Sequence, residues 1–323
     1  MLEYVASRFA QMLVVILIVA TILFLIFRLM PGNPLVAYID PTFTEEQQQL
    51  LMQQFGLDVP LHIQYLVYIR NLASGDLGQS FFYRKPVAEL LWDVFPNTIY
   101  LTGFSLIIAY LFGVIGGVFL AWKRGTWVES LGITAVLVTR AAPQFWTGMI
   151  ALAAFSFGLG WFPASGATSP GVTYPSELAK LASADFWRHM ALPALVMAIY
   201  LQGLPLLLMR SNMLEVINED FVVMSRMKGL SEWRIMIYHA ARNALLPVVT
   251  ALSLGVGYAV GGNVVIETVF SWPGIGRLLV KAVAAKDYPV AQGAFLLIAA
   301  IMIFMNFVAD MLYGLLDPRV KYR

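Results

Sequence analysis

NTIYLTGFSLIIAYLFGVIGGVFLAW, from Asn97 to Trp122, contains no charged residue. At a rise of about 1.5 Å per residue, a helix of this length crosses the ~30 Å hydrocarbon core of a bilayer. Apolar and polar side chains do not alternate along it, so it is not a strand of a barrel with one face to lipid and one to water. Gly113, Gly116 and Gly117 lie within it, small residues of the kind that let membrane helices approach closely.

Five more runs share this character. Phe9 to Phe27, Met190 to Met209, Asn243 to Ile266 and Tyr288 to Ala309 carry no charge, and Leu131 to Gly160 carries only Arg140. Over all 323 residues, 59% are hydrophobic and 12% charged, about half the ~25% charged content of a soluble domain. The mean hydropathy of +0.74 leaves more apolar surface than a core can hide. The expectation is an all-α membrane protein of six transmembrane helices, with the lipid bilayer as its first partner.

The first run is longer than the apolar region of a secretory signal, and no Ala-x-Ala site follows it, so it reads as an uncleaved first span. With the N-terminus inside, eleven of the 21 Lys and Arg fall on the cytoplasmic side and eight on longer external loops, which places both termini in the cytoplasm. The chain then divides into residues 1–30, a cytoplasmic N-terminus and first span; 31–95, an external subdomain rich in Pro, Gly, Gln and acids; and 96–323, a five-span core with one substantial cytoplasmic segment, 210–242.

Several chemistries are excluded. A net charge of +2 gives nucleic acid no electrostatic footing. Without cysteine there is no disulfide, thiol nucleophile or thiolate metal site, and His62, His189 and His239 are too scattered for metal-ligand spacing. No Lys follows a Gly, so the phosphate-binding loop that ends Gly-Lys-Ser/Thr is absent, and the chain is not expected to hydrolyse ATP; His-Glu-x-x-His and Gly-x-Ser-x-Gly are absent too. Two classes remain: an autonomous channel or secondary transporter, or a membrane subunit driven by a separate energy source.

The cytoplasmic segment bears on that choice. In LEVINEDFVVMSRMKGLSEWRIMIYHAAR, Leu214 to Arg242, one helix is expected to stop at Gly229 with positive φ, and a second to run from Glu232 into the fifth span. The first helix mixes apolar and basic residues, and its pattern suits either a docking surface or a helix lying in the headgroups. Other residues also carry two readings. Pro143 breaks or kinks the third span, lining a cavity or marking a packing kink. Trp272-Pro273-Gly274 has the look of an interfacial aromatic anchor beside a tight turn. Arg28 reaches the outer interface. Arg140 sits near the midplane, where a guanidinium costs at least ~2.5 kcal/mol, so it faces a wet pathway or pairs with Asp310.

An ordered series of segments resembles the B-type membrane subunit of ABC importers for dipeptides, oligopeptides, nickel and related solutes. They are MPGNP (Met30 to Pro34), SGDLGQSF (Ser74 to Phe81), FPNT (Phe95 to Thr98), PQFW (Pro143 to Trp146), LGWFPASG (Leu159 to Gly166), ALPAL (Ala191 to Leu195), MLEVINEDFV (Met213 to Val222), KGLSEWRI (Lys228 to Ile235), ARNALLPVVT (Ala241 to Thr250), ETVFSWPGIGRLL (Glu267 to Leu279), KDYPVAQG (Lys286 to Gly293) and LLDPRVKY (Leu315 to Tyr322). The resemblance implies a bacterial inner-membrane permease subunit paired with a second, homologous permease, two ATPase subunits that bind ATP and Mg, and an external solute-binding protein. It makes 210–242 the coupling loop, with Glu219, Asp220, Val223, Met224, Arg226, Lys228, Gly229 and Leu230 meeting an ATPase subunit. It assigns Pro143, Gln144, Trp146, Trp272, Pro273 and Gly274 to the pathway or its external gate. Where related permeases show Tyr-Val-Arg-Thr-Ala-Arg-Ala-Lys-Gly-Leu, this chain has the more apolar Phe221 to Leu230. Arg140 stands where relatives usually have an apolar residue, so the resemblance does not account for it. The solute itself is not legible, and no cofactor is expected in this chain.

Overall fold

A computed structural model describes residues 2–29, 44, 46 and 58–316. Much of the segment 31–57, the motif Met30 to Pro34 and the chain beyond 316 lie outside the described residues. The helices are α1 Leu2–Leu29, α2 Leu61–Ala73, α3 Val87–Trp122, α4 Trp127–Ala141, α5 Gln144–Ala151, α6 Glu177–Leu181, α7 Ala184–Leu201, α8 Gly203–Val216, α9 Asp220–Met227, α10 Glu232–Arg234, α11 Ala241–Ala244, α12 Leu246–Val269, α13 Ile275–Ala284 and α14 Tyr288–Leu316. A π-helix over Leu152–Gly158 continues α5, and a second, Ile235–Ala240, joins α10 to α11.

All six apolar runs fall on helices, but not all of those helices are continuous. α1, α3 and α14 are each long and apolar enough to cross a membrane unbroken. α7 and α8 do so together, bent by 42° at Gln202, and the helices from α10 into α12 do so with a 48° bend at Leu245. Prolines explain both bends: Pro205 has no N–H for the carbonyl of Leu201, and Pro247 none for that of Asn243. The third run, expected as one span over Leu131–Gly160, is two shorter helices. Pro143 drives the residue before it, Ala142, into extended conformation (φ −67°, ψ 132°), which ends α4. α3 starts at Val87, well before the charge-free run, and holds Pro96 inside it.

Packing rests first on α3 against α8, the most extensive helix pair among the described residues. The glycine face of α3 makes this possible. A Cβ on Gly117 would lie 2.6 Å from the Leu206 carbonyl oxygen and 2.7 Å from Met209 Cβ, and one on Gly113 would lie 2.8 Å from Pro205 Cγ. Toward the C-terminal end of α3, Val118 and Ala121 join Met209 and Met213 of α8 and Met236 and Ala240 of the second π segment. Toward the other end, Leu101, Phe186, Met190, Met197, Ile266 and Trp272 form a second cluster. A third gathers α13 and α14 against Phe27 of α1. The outward face of α1, including Leu13, Val14, Ile18, Ile22 and Ile26, is exposed, as a lipid-facing helix requires.

One buried carboxylate pins two turns together. Asp287, ahead of α14, accepts hydrogen bonds from Ser80 Oγ and from the backbone N–H groups of Phe81 and Phe82, each of the latter at 3.1 Å. The segments SGDLGQSF and KDYPVAQG, distant in sequence, are thus one structural unit.

The α3–α8 approach predicts an ordering. Gly117→Ala places its methyl against backbone and is expected to destabilise by ~1–3 kcal/mol, read as a lower unfolding temperature in detergent. Gly116→Ala meets the Leu206 side chain at 2.9 Å, which can move, and should cost less. Equal losses would show that backbone approach is not what limits this packing.

Candidate functional site

The segment 210–242 folds around a short helix on a turn of defined geometry. α9 starts after Glu219, whose carbonyl accepts from Val222 and Val223 N–H, and the acids Glu219 and Asp220 complement the positive end of the helix. It stops at Gly229, φ +74°, with the Gly229 N–H on Arg226 O (2.9 Å) and the Leu230 N–H on Ser225 O (3.3 Å). This pair of bonds is the Schellman stop, and it needs the left-handed residue that glycine supplies. Arg226 folds back on Glu232 through two bonds of 2.8 and 3.3 Å, which fixes α9 against the next helix.

α9 turns only Val222 and Ser225 inward. Glu219, Asp220, Val223, Met224, Arg226, Lys228 and Gly229 are all exposed, with Leu230 half-buried, so the structure gathers the expected coupling residues into one projecting unit. Its apolar members are conspicuous: Met224 is 57% and Met227 81% exposed. Beneath α9 the π segment buries Ile235, Met236 and Ala240 against α3 and α8. Trp233 also meets Trp122 at the end of α3, ring centroids 5.7 Å apart. Beside this shaft Glu129 of α4 accepts from Gly125 N–H at 2.7 Å and from Arg210 Nε at 2.8 Å, and Arg210 Nη2 bonds it as well. The Gly125 N–H first, then Arg210, hold the Glu129 carboxyl below the usual carboxylate range.

Farther up, two helix breaks lie side by side. The Arg140 stem packs on Gly203: a Cβ there would be 2.5 Å from Arg140 Cδ, so the α7–α8 bend leaves room for the side chain. Arg140, Pro143 and Trp146 are exposed and Gln144 is half-buried. The pairing of Arg140 with Asp310 is not formed. Asp310 is on α14, which packs along α1, and its carboxylate lies 3.3 Å from Arg8.

At the far end of α3 from α9, Trp272 is fully buried, its ring tilted against that of Phe186 with centroids 5.7 Å apart. An aromatic anchor presents its ring to the headgroups, so that reading of Trp272 is overturned. Trp272 Nε1 donates to Asn97 O (3.0 Å), and Asn97 Nδ2 donates to Pro273 O (2.8 Å). Thr98 Oγ1 donates to Glu267 Oε1 (2.7 Å) and accepts from Ile275 N–H (2.9 Å), while Arg277 N–H reaches Glu267 Oε2 (3.1 Å). Any side chain on Gly274 would collide with the Glu267 carboxylate. Lys180 joins from the second external loop, Nζ to Asn97 Oδ1 at 2.6 Å. Trp272, Pro273 and Gly274 are therefore locked to the top of α3. Sequence reasoning quoted FPNT and ETVFSWPGIG without joining them and passed over Asn97, Lys180 and Glu129; the one available signal was a Glu immediately after a charge-free run.

The residues expected along the pathway or at its gate thus fall into two groups, one at the paired breaks and one in the clasp around Trp272. Among the described residues no three His, Asp or Glu side chains converge to hold a metal ion. Residues 113–322 match the family described as "Binding-protein-dependent transport system inner membrane component", and residues 1–102 match its companion, "Binding-prot-dependent transport system membrane comp, N-term". The chain belongs to this family. It is the permease subunit of a binding-protein-dependent ABC importer, a multi-pass inner-membrane protein. Such permeases are not themselves enzymes; they work with a binding protein and an ATPase.

Curated relatives match end to end. The glutathione transport system permease protein GsiC of Salmonella typhimurium is 38% identical over 323 residues, covering 100% of both chains. The di/tripeptide transport system permease protein DppB of Pseudomonas aeruginosa is 38% identical over 335 aligned positions, again with 100% of each. GsiC of Escherichia coli strain K12 is 35% identical over 323 residues, with 100% of both covered. Among solved structures, a crystal structure of an amino acid ABC transporter with histidines covers 72% of this chain and 94% of its own at 15% identity and a TM-score of 0.48, a likeness too distant to build on.

The Glu129 geometry of this importer permease gives a pH dependence. Because its carboxyl is held below the ordinary range in the folded state, its contribution is complete above the unfolded value of about 4 and is lost as pH falls through the lower, folded value. Hydrogen-exchange protection factors of residues 123–130 in detergent should stay high at pH 5 and fall only at more acid pH. In Glu129→Gln they should be low at every pH, and an unchanged profile in that variant would show that the carboxylate does not hold the turn.

Proposed function

We propose that this permease forms one half of an import pathway with a second, homologous permease, above two ATPase subunits that bind ATP and Mg, and that an external binding protein delivers its solute. Both termini are cytoplasmic, as the distribution of Lys and Arg favours. The observation that carries the reading is α9, an exposed apolar-basic helix with a fixed stop, mounted on a buried shaft. In that role it fills a groove of an ATPase subunit, and the Gly229 turn passes its motion through Ile235–Ala240 to α12. An autonomous channel would give such a projecting surface nothing to meet, and the family lends that alternative no support.

For the solute, the names of the relatives, glutathione and di/tripeptide permeases, point to a peptide-like molecule. The paired breaks suit one. Arg140 sits where two interrupted helices adjoin, and α5 begins four residues on at Gln144, with backbone N–H groups free at its first turn. A guanidinium beside a helix N-terminus favours a carboxylate, which every such peptide carries. Irregular backbone at membrane depth belongs where it lines a cavity.

The docking role is tested by a single cysteine at Met224 in this cysteine-free chain. Met224→Cys should react with an impermeant thiol reagent only after permeabilisation, and bound ATPase subunits should protect it. Adding Gly229→Val, which disfavours the positive φ, should abolish protection and transport while membrane levels persist. Labelling from outside, or protection that survives Gly229→Val, contradicts the assignment. For the pathway, Arg140→Gln should slow uptake of a carboxylate-bearing peptide roughly tenfold, ~1.4 kcal/mol, more than that of its C-terminal amide. Equal slowing of both would remove Arg140 from solute recognition.

A further inference from the structure

On the external side, α1, α2, the turn before α3 and the start of α14 enclose a cavity of about 390 Å³. Its polar lining includes Arg28, Asp58, Gln64, Tyr68, Asp76 and Gln292. Three of these present buried polar atoms without a hydrogen-bond partner: Gln64 Oε1, Tyr68 OH and Gln292 Nε2. Tyr68 and Gln292 face each other, yet neither of these atoms reaches bonding geometry. Orphaned buried groups are costly, at ~1–3 kcal/mol each, so three around one cavity call for an occupant.

The depth of the cavity narrows the choice. Tyr65 OH shares a hydrogen bond of 2.8 Å with Thr21 Oγ1, and the rings of Tyr65 and Tyr68 lie 5.3 and 5.4 Å from Phe24. Phe24 lies three residues before the end of the charge-free run Phe9 to Phe27. α2 therefore lies at the level where headgroups give way to acyl chains. It buries no residue, and Ile63, Leu66 and Val67, spaced for one side of a helix, are 38, 62 and 49% exposed. They continue the exposed apolar surface of Ile22, Leu25 and Ile26 on α1.

We propose that α2 is an interfacial helix of the outer leaflet and that the cavity behind it binds the headgroup of a phospholipid bearing both a phosphodiester and a primary ammonium, with the acyl chains against Ile63, Leu66 and Val67. Arg28, the Tyr68 hydroxyl and Gln292 Nε2 are donors for phosphate oxygens. Asp58, Asp76 and Gln64 Oε1 are acceptors for the ammonium. A purely anionic headgroup would leave the two carboxylates facing negative charge, and a choline headgroup offers them no N–H. Arg28 already rests over the Phe24 ring, its Cζ 5.8 Å from the centroid, which holds the guanidinium at the cavity wall.

The test uses the full chain, purified in mild detergent and exchanged into nanodiscs of phosphatidylethanolamine, phosphatidylglycerol or phosphatidylcholine, followed by delipidation and native mass spectrometry. Phosphatidylethanolamine should be retained selectively and raise the unfolding temperature. Arg28→Gln and Tyr68→Phe should each cut retention about tenfold. Tyr68→Phe keeps the ring on Phe24 and removes one oxygen, so a folded variant is available whatever happens at Arg28. Equal retention of the three lipids, or retention unchanged in both variants, overturns the proposal. Free phosphoethanolamine raising the unfolding temperature as much as the lipid does, with no lipid retained, would make this a site for a soluble zwitterion and overturn it as well.

Discussion

The close approach of α3 and α8 sets the rest of the molecule. Lipid supplies no hydrophobic drive for two helices to associate, so their contact must come from packing, and Gly113 and Gly117 let backbone meet backbone. With α8 held there, its far end places Arg210 beside Glu129 and Met213 beneath the shaft that carries α9. Its near end places Gly203 against Arg140. The loop that carries α9 and the paired breaks at Arg140 are thus referred to a single seam.

A second theme is the use of buried carboxylates as joints. Glu267 ties the turn after α12 to Thr98 on α3, and Asp287 ties the start of α14 to the turn around Ser80. Each takes hydrogen bonds from backbone N–H groups as well as a hydroxyl, so one side chain ties a turn to a distant segment. The joint at Glu129 uses Arg210 and is partly open to water.

The helical runs were legible because a bilayer demands long apolar stretches, and Pro143 announced the break in the third. Gly229 was legible because a helix stop followed by positive φ has few sequence solutions. Other features were not. A Trp before Pro-Gly looks the same whether its ring faces headgroups or fills a core, so the burial of Trp272 came only from the fold. Arg140 and Asp310 were paired as the ionisable residues left inside spans, a choice blind to which helices are neighbours, and Arg8 took the partner. The Gln64, Tyr68 and Gln292 cluster draws on segments more than two hundred residues apart, and no local pattern marks it.

The two π segments add something that α-helices lack. A π turn closes its hydrogen bonds one residue later than an α turn, so each holds a surplus residue within the same span of helix. Ile235–Ala240 stands between α9 and α12. Removing one residue from it would advance the connected helix by ~1.5 Å and rotate it by about 100°, the rise and angle of one α residue. The segment therefore holds one residue of register more than an α-helix over the same span.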